Sequence, residues 1–201
     1  PPSHAIFRHV NLPFRDDNRI RKTLPFELEP LIPLSIDEVV ADYLTIPRHG
    51  LLVAAVAKTM ISEWIGNVEE SLGNVSVIDI SPSALATQVL SDKSSPACGM
   101  ILDIGASSTA AVFYEDRRIV QVRSLTFGGS HITQALSQDL SIGIDEAERK
   151  KINGDYHDIC NRAEDLCRLF CSELKNTIEY MKLSGSLRNN PAIMTITGGG
   201  S

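Results

Sequence analysis

Two glycine-containing turns, each placed after an apolar run, are the segments of this sequence best suited to bind a ligand. In LDIGASST, Asp103 ends an apolar run and Gly105 begins a turn of small residues. Glycine lets the backbone turn with positive φ, and the small side chains of Ala106, Ser107 and Ser108 let a polyanion approach the amide groups of the turn. The pattern fits either a phosphate-binding loop or the turn of an ordinary hairpin.

The carboxylate of Asp103 repels a phosphate group, so its place in such a loop implies a cation. A Mg²⁺ ion held through water would bridge the carboxylate and the phosphate, with no direct protein ligand to the metal. Hydroxyl groups on the turn add donors for the phosphate oxygens. We expect the phosphate and Mg²⁺ side of a site to comprise Asp103, Gly105, Ala106, Ser107, Ser108 and Thr109.

The second turn, TGGGS, follows the apolar run PAIMTI, which is expected to be a buried strand. The three glycines Gly198, Gly199 and Gly200 suit a loop over which a flat base or a ribose could lie, and they equally suit a flexible linker. Between the two turns, IDEAERKK predicts a short helix with acidic residues first and basic residues last.

Strands joined by tight turns must position the first loop. The runs MILDI, TAAVFY and IVQVRSLTF, linked by GASS and EDRR, predict a meander of three strands. After the glycine pair at 128–129, Ser130 is expected to cap a helix that ends near Leu140. A long helix is predicted from about residue 155 to 183, with Ile159, Ala163, Leu166, Phe170, Leu174, Ile178 and Met181 in helical register.

The first half of the chain has a different organisation. Ile20, Leu24, Leu28 and Leu31 predict a helix that Pro25 interrupts, and the strands VVADYLTI and LLVAAVA follow it. KTMISEWIGNVEESL predicts an amphipathic helix that stops at Gly73, before a strand VSVIDI. We expect a small subdomain over 1–57, the remainder of a first lobe over 58–96 and a second lobe over 97–201, with a small insertion at 140–154.

Composition excludes several classes of protein. The 201 residues carry a formal net charge of −6 and have no basic block, which argues against a nucleic-acid surface. The longest apolar stretch, residues 51–57, is far too short to span a membrane. We expect no signal peptide, because no charged segment followed by an apolar one opens the sequence. Four cysteines, three of them seven and four residues apart, lack zinc-site spacing and are expected to be small buried core residues: Cys98, Cys160, Cys167 and Cys171.

The order of these segments resembles the second lobe of the actin-like ATPase superfamily. LDIGASSTAAVFYEDRRIVQVRSLTFGG is similar to its phosphate-loop hairpin, EAERKK to its adenosine-contacting helix, and ITGGGS to its adenine-side glycine loop. The resemblance implies an α/β, actin-like (ribonuclease H-like) fold of two lobes. It also implies adenosine-binding roles for Glu148, Lys151, Gly198, Gly199 and Gly200.

Within that superfamily the sequence resembles the pilus-assembly PilM family, which is related to FtsA, and its first part resembles the cytoplasmic domain of the secretion GspL family. The resemblance implies a scaffold, not an enzyme, at the cytoplasmic face of a bacterial inner membrane, in type II secretion or type IV pilus assembly. Expected partners are an assembly ATPase and a bitopic membrane protein, with homo-oligomers also compatible. A partner groove between the LPFELE subdomain and the neighbouring lobe is also implied, with the residues Leu24, Pro25, Phe26 and Glu27.

Two alternatives in function stay open at this stage. They are an ATP-dependent phosphotransferase of the same superfamily and an FtsA-like membrane-tethered filament protein. The first phosphate loop of an actin-like site is missing before HVNLPF, so we expect a fold truncated at both ends. The resemblance then implies ATP and Mg²⁺ binding in the full-length protein and no cofactor in this fragment.

Overall fold

A computed structural model describes residues 4–46, 50–92, 94–154 and 161–200. The chain divides into two compact units, each made of two segments. The first unit comprises Pro1–Ala97 and Val112–Arg123, and the second comprises Cys98–Ala111 and Ser124–Ser201. The boundaries expected at residues 57 and 96 stay predictions.

An antiparallel sheet of three strands dominates the first unit. Its strands are β1 (Ile6–Val10), β2 (Val39–Ile46) and β3 (Gly50–Ala57), in the order β1-β3-β2. The predicted strands β2 and β3 are confirmed, and the turn between them lies outside the described residues at 47–49. Strand β1 was not predicted, because IFRHV lacks strict alternation and its partner β3 lies more than 40 residues away in the sequence.

Helix α1 (Asp17–Leu28) packs on this sheet through the predicted apolar face. Ile20, Leu24 and Leu28 are buried in one core with residues of all three strands. The α-helix includes Pro25 and ends at Leu28, where a 3₁₀ turn follows. Leu31 was expected on the buried face and is 40% exposed, because the tighter turn changes the angle between successive side chains.

Helix α2 (Lys58–Leu72) ends as predicted at Gly73, but none of its residues is fully buried. The segment 75–80, predicted to be a strand, is irregular and pairs with no described strand. An isolated extended segment cannot satisfy its backbone groups, so VSVIDI does not form a strand despite its composition. Val77 is accordingly 82% exposed. Helix α3 (Ser81–Ser91) follows.

The second sheet contains the predicted meander. Its strands are β4 (Gly99–Ile104), β5 (Thr109–Glu115), β6 (Arg118–Leu125) and β7 (Met194–Thr197), in the order β6-β5-β4-β7. Every residue of β5 is buried, and Phe113 and Tyr114 are among the largest fully buried side chains. Strand β7 exists, but its predicted burial is wrong: it lies at the edge of the sheet, where Met194 and Ile196 are about half exposed.

Three helices complete the second unit: α4 (Gly129–Leu140), α5 (Ile144–Asn153) and α6 (Asn161–Leu183). The buried face of α6 is the predicted one, with Ala163, Phe170, Leu174 and Met181. The predicted start of this helix, with Ile159, lies outside the described residues.

The expected burial of the cysteines is not found in the described part of the chain. Cys167 and Cys171 are exposed on α6, and Cys98 is partly exposed. The two helix cysteines share a face, as their spacing predicts, but that face is rotated away from the one that the core residues of α6 form. Cys160 lies outside the described residues.

Candidate functional site

Parallel pairing of β4 with β7 brings the two glycine turns together. The register aligns Asp103 with Thr197, so both strands end at the same edge of the sheet. The amide of Gly200 donates a hydrogen bond of 2.9 Å to the carbonyl oxygen of Ile104. The carboxyl ends of parallel strands are the usual ligand-binding edge of an open α/β sheet.

The glycine pair that begins α4 is fastened to the first loop. Gly129 N–H donates to the carbonyl oxygen of Gly105 at 3.0 Å, and Ser130 N–H donates to that of Ala106 at 2.8 Å. The predicted capping role of Ser130 is wrong, because Gly128 is the N-cap residue and no side chain caps the helix. Carbonyl groups of the loop instead satisfy the first amides of α4.

Close backbone contact explains why glycine occupies these positions. A Cβ atom at Gly128 would lie 2.4 Å from the carbonyl oxygen of Gly105, and one at Gly129 would lie 1.8 Å from that of Gly200. Gly198 has a φ of +111°, and a Cβ atom there would lie 2.2 Å from the carbonyl oxygen of Ile104. Three glycine segments, far apart in the sequence, thus form one compact backbone surface, which we call the glycine platform: residues 105–106, 128–129 and 198–200.

The turn after β4 forms without the positive φ that was expected at Gly105, so that expectation is wrong. Gly105 N–H donates to the carbonyl oxygen of Ser108 at 3.0 Å, which closes the turn. Ala106 and Ser107 at its tip are exposed, whereas Asp103 is partly buried. Thr109 is fully buried and its hydroxyl donates to the carbonyl oxygen of Phe127 at 2.8 Å, so this hydroxyl supports the loop from within the protein.

Glu148 and Lys151 are brought together beside the glycine platform, on helix α5. Their Oε2 and Nζ atoms are 2.8 Å apart. The Lys151 ammonium group also donates to the hydroxyl of Thr133 at 3.1 Å and to the carbonyl oxygen of Gly129 at 3.3 Å. The side chain of Lys151 is only 8% exposed, whereas that of Glu148 is 44% exposed.

This environment stabilises the charged form of Glu148. The hydrogen bond from Lys151, and after it the one from Thr133, lowers the pKa of the Glu148 carboxyl group below its ordinary value. The ion pair is therefore complete at neutral pH and is lost only as the pH falls through that lowered pKa.

The residues present fit a nucleotide in their donor set. An exposed serine and a carboxylate flank the first loop of the glycine platform, whose glycines Gly128, Gly129 and Gly200 are buried against neighbouring backbone. Among the described residues, no group of three or more His, Cys, Asp or Glu side chains could hold a metal ion.

The predicted partner residues lie on α1 in the first unit, and the structure separates them. Leu24 and Pro25 line a cavity of about 220 Å³ between α1 and β2. Phe26 is 76% exposed, and Glu27 is exposed as well. The four residues therefore do not share one pocket.

A larger cavity of about 440 Å³, which was not predicted, lies on the first unit. We call it the apolar groove. It is lined by β2, β3, α2, β6 and the irregular segment 75–80, mostly through aliphatic side chains. Val40 and Leu44 of β2 are 46% and 43% exposed within it, and the charged residues lining it are Asp42 and Asp79.

Sequence reasoning missed two further features of these sites. Thr133, which connects α4 to the Glu148–Lys151 pair, lies 15 residues before Glu148, and no local pattern links the two positions. The apolar groove depends on which face of the first sheet stays uncovered. A two-residue alternation in β2 does indicate that this strand has two distinct faces.

Taken together, the sheet order, the hairpin loop, the glycine-headed helix and the glycine loop after a parallel strand define a fold of the actin-like class. The family described as type IV pilus assembly protein PilM matches residues 1–200. The chain therefore belongs to the PilM family.

One solved structure supports the same fold. The structure described as the PilM-PilN type IV pilus biogenesis complex superposes with a TM-score of 0.79 at 24% identity, over 98% of this chain and 60% of that one. The cytoplasmic domain of EpsL, described as an inner membrane component of the type II secretion system of Vibrio cholerae, matches with a TM-score of 0.46 at 15% identity, over 70% of this chain and 53% of that one.

Among curated proteins, the cell division protein FtsA of Bacillus subtilis (strain 168) is 26% identical over 118 residues. That match covers 58% of this chain and 27% of FtsA. The chain thus spans about 60% of the PilM chain and about a quarter of FtsA.

Proposed function

We propose that this protein is a cytoplasmic scaffold of an inner-membrane assembly platform for type IV pili or type II secretion. Membership of the PilM family supports the platform role. No helix among the described residues is long and apolar enough to cross a membrane. We expect its partners to be a bitopic membrane protein, an assembly ATPase and further copies of the chain.

The apolar groove is the single observation that best supports a binding role. Valine and leucine side chains nearly half exposed on a β-strand are unusual for a surface facing only water, whereas they suit a partner segment. The two aspartates that line the groove favour a partner with basic residues beside its apolar ones. A short cytoplasmic segment of a bitopic protein, with basic residues near the membrane, has this character.

We expect Leu44→Glu to weaken binding of the bitopic partner's cytoplasmic segment at least about tenfold, because it places a charge in the centre of an apolar contact. The measurement is the fluorescence anisotropy of a labelled peptide of that segment, titrated with the intact protein. Leu183→Glu is the matched control. Leu183 is 89% exposed on α6, in the other unit, and its substitution is expected to leave binding unchanged.

A second variant, Phe26→Glu, distinguishes the two candidate surfaces. If binding is lost with Phe26→Glu and kept with Leu44→Glu, the partner occupies the α1 surface predicted from the sequence. If both variants bind like the unchanged protein, neither surface is the docking site and the proposal is wrong.

We also propose that the second unit contributes one half of an ATP–Mg²⁺ site to the intact protein. The amides of residues 106–108 and the serine hydroxyls of this loop would hold phosphate oxygens, since the Gly105 amide already closes the turn. Asp103 would orient the hydrated Mg²⁺, and Glu148, Lys151 and the loop 198–200 would contact the adenosine. Bound nucleotide would then change partner affinity by favouring one arrangement of the protein.

A further inference from the structure

Thr133 occupies a buried position at the junction of two helices beside the glycine platform. It lies on α4, four residues after Gly129, and is 4% exposed. Its hydroxyl contacts three groups: the carbonyl oxygen of Gly129 at 3.0 Å, the Nζ of Lys151 at 3.1 Å and the Oε2 of Glu148. The contacts of this one hydroxyl therefore join the glycine platform to helix α5.

The number of protons on each group determines which of these contacts the Thr133 hydroxyl donates and which it accepts. A threonine hydroxyl has one proton to donate and accepts through its lone pairs, whereas an ammonium group only donates. The hydroxyl therefore accepts from Lys151 and donates either to the Glu148 carboxylate or to the Gly129 carbonyl. The carboxylate is the stronger acceptor, and Lys151 then donates to the Gly129 carbonyl at 3.3 Å.

We infer that Thr133 is a positioning residue of the proposed nucleotide half-site. Its hydroxyl holds Lys151 and Glu148 against the first turn of α4, whose amides are bonded to the loop at 105–106. The same small network therefore connects the adenosine-side pair to the phosphate side of the site. This role rests on the proposed nucleotide function.

The test compares Thr133→Val, which keeps the shape and removes the hydroxyl, with Thr133→Ser, which keeps the hydroxyl, in the intact protein. One readout needs no nucleotide: the rate at which acetic anhydride acetylates Lys151, followed by mass spectrometry. We expect this rate to rise several-fold in Thr133→Val and to stay low in Thr133→Ser. The exposed Lys182 serves as the internal control.

The second readout is affinity for ATP–Mg²⁺ and for tripolyphosphate, measured by calorimetry. We expect Thr133→Val to bind ATP five- to tenfold more weakly, which is about the effect of losing one buried hydrogen bond. Its affinity for tripolyphosphate is expected to be unchanged. Thr133→Ser is expected to bind ATP as the unchanged protein does. If the unchanged protein binds ATP and Thr133→Val matches it in both readouts, the inference is wrong and the nucleotide proposal stands. If the unchanged protein does not bind ATP, the nucleotide proposal fails, and the role of Thr133 toward a nucleotide fails with it.

Discussion

Gly128→Ala is expected to lower the free energy of unfolding by about 2–3 kcal/mol, the range for forcing extra volume into a packed region. The new Cβ atom would lie 2.4 Å from the carbonyl oxygen of Gly105 and 2.6 Å from that of Ala106, both of them backbone atoms that cannot move independently. Urea unfolding monitored by circular dichroism measures the change. The corresponding fall in the melting temperature is roughly 5–10 °C for a chain of this size.

Gly143→Ala is the matched control for this variant. Gly143 is also the N-cap residue of a helix without a side-chain cap, and a Cβ atom there meets nothing within 4 Å. Any general cost of alanine at an N-cap therefore affects both variants alike. Equal stabilities of the two variants would contradict the close packing of the glycine platform.

Arg117→Ala is expected to destabilise the first unit by about 2 kcal/mol, the scale for hydrogen bonds from a charged donor. The Arg117 guanidinium donates to the carbonyl oxygens of Ser95 at 2.7 Å and of Leu90 and Asp92 at 2.5 Å each. It thereby satisfies carbonyl groups where α3 ends, at the helix terminus that favours a positive charge. Thermal unfolding followed by circular dichroism measures the loss.

Its neighbour offers a control of the same residue type. Arg118 is exposed, so Arg118→Ala is expected to change stability by less than about 0.5 kcal/mol, as for most surface substitutions. Arg117 also has a φ of +59°, which costs energy for a residue with a side chain. We infer that the three carbonyl contacts hold this unfavourable backbone conformation in place. Equal stability of Arg117→Ala and Arg118→Ala would contradict that inference.

The second unit could be predicted well because its signals are local. Short apolar runs separated by GASS and EDRR determine a meander without reference to distant residues, and the structure confirms all three strands. The periodicity of α6 likewise predicted its buried face, and Ala163, Phe170 and Met181 are buried there. Turns and helix faces can be predicted because each is determined by residues only a few positions apart in the sequence.

Features that depend on distant partners could not be predicted in the same way. The segment 75–80 has the composition of a strand, but pairing decides whether a strand forms. Ser130 has the residue type of an N-cap, but the carbonyl groups of Gly105 and Ala106 take that role because the loop packs against the helix. Cys167 and Cys171 are apolar by type, yet the rotation of α6 in its packing leaves them exposed.

The central claim is that Asp103 and the glycine platform form one side of a nucleotide site. Calorimetric titration of the intact protein with ATP–Mg²⁺, before and after Asp103→Ala, tests it most directly. We expect binding by the unchanged protein and a loss of about tenfold or more in the variant, because a water-mediated contact of the metal disappears. Tight binding that is the same in both proteins would contradict the role of Asp103, and the absence of binding in the unchanged protein would contradict the nucleotide site itself.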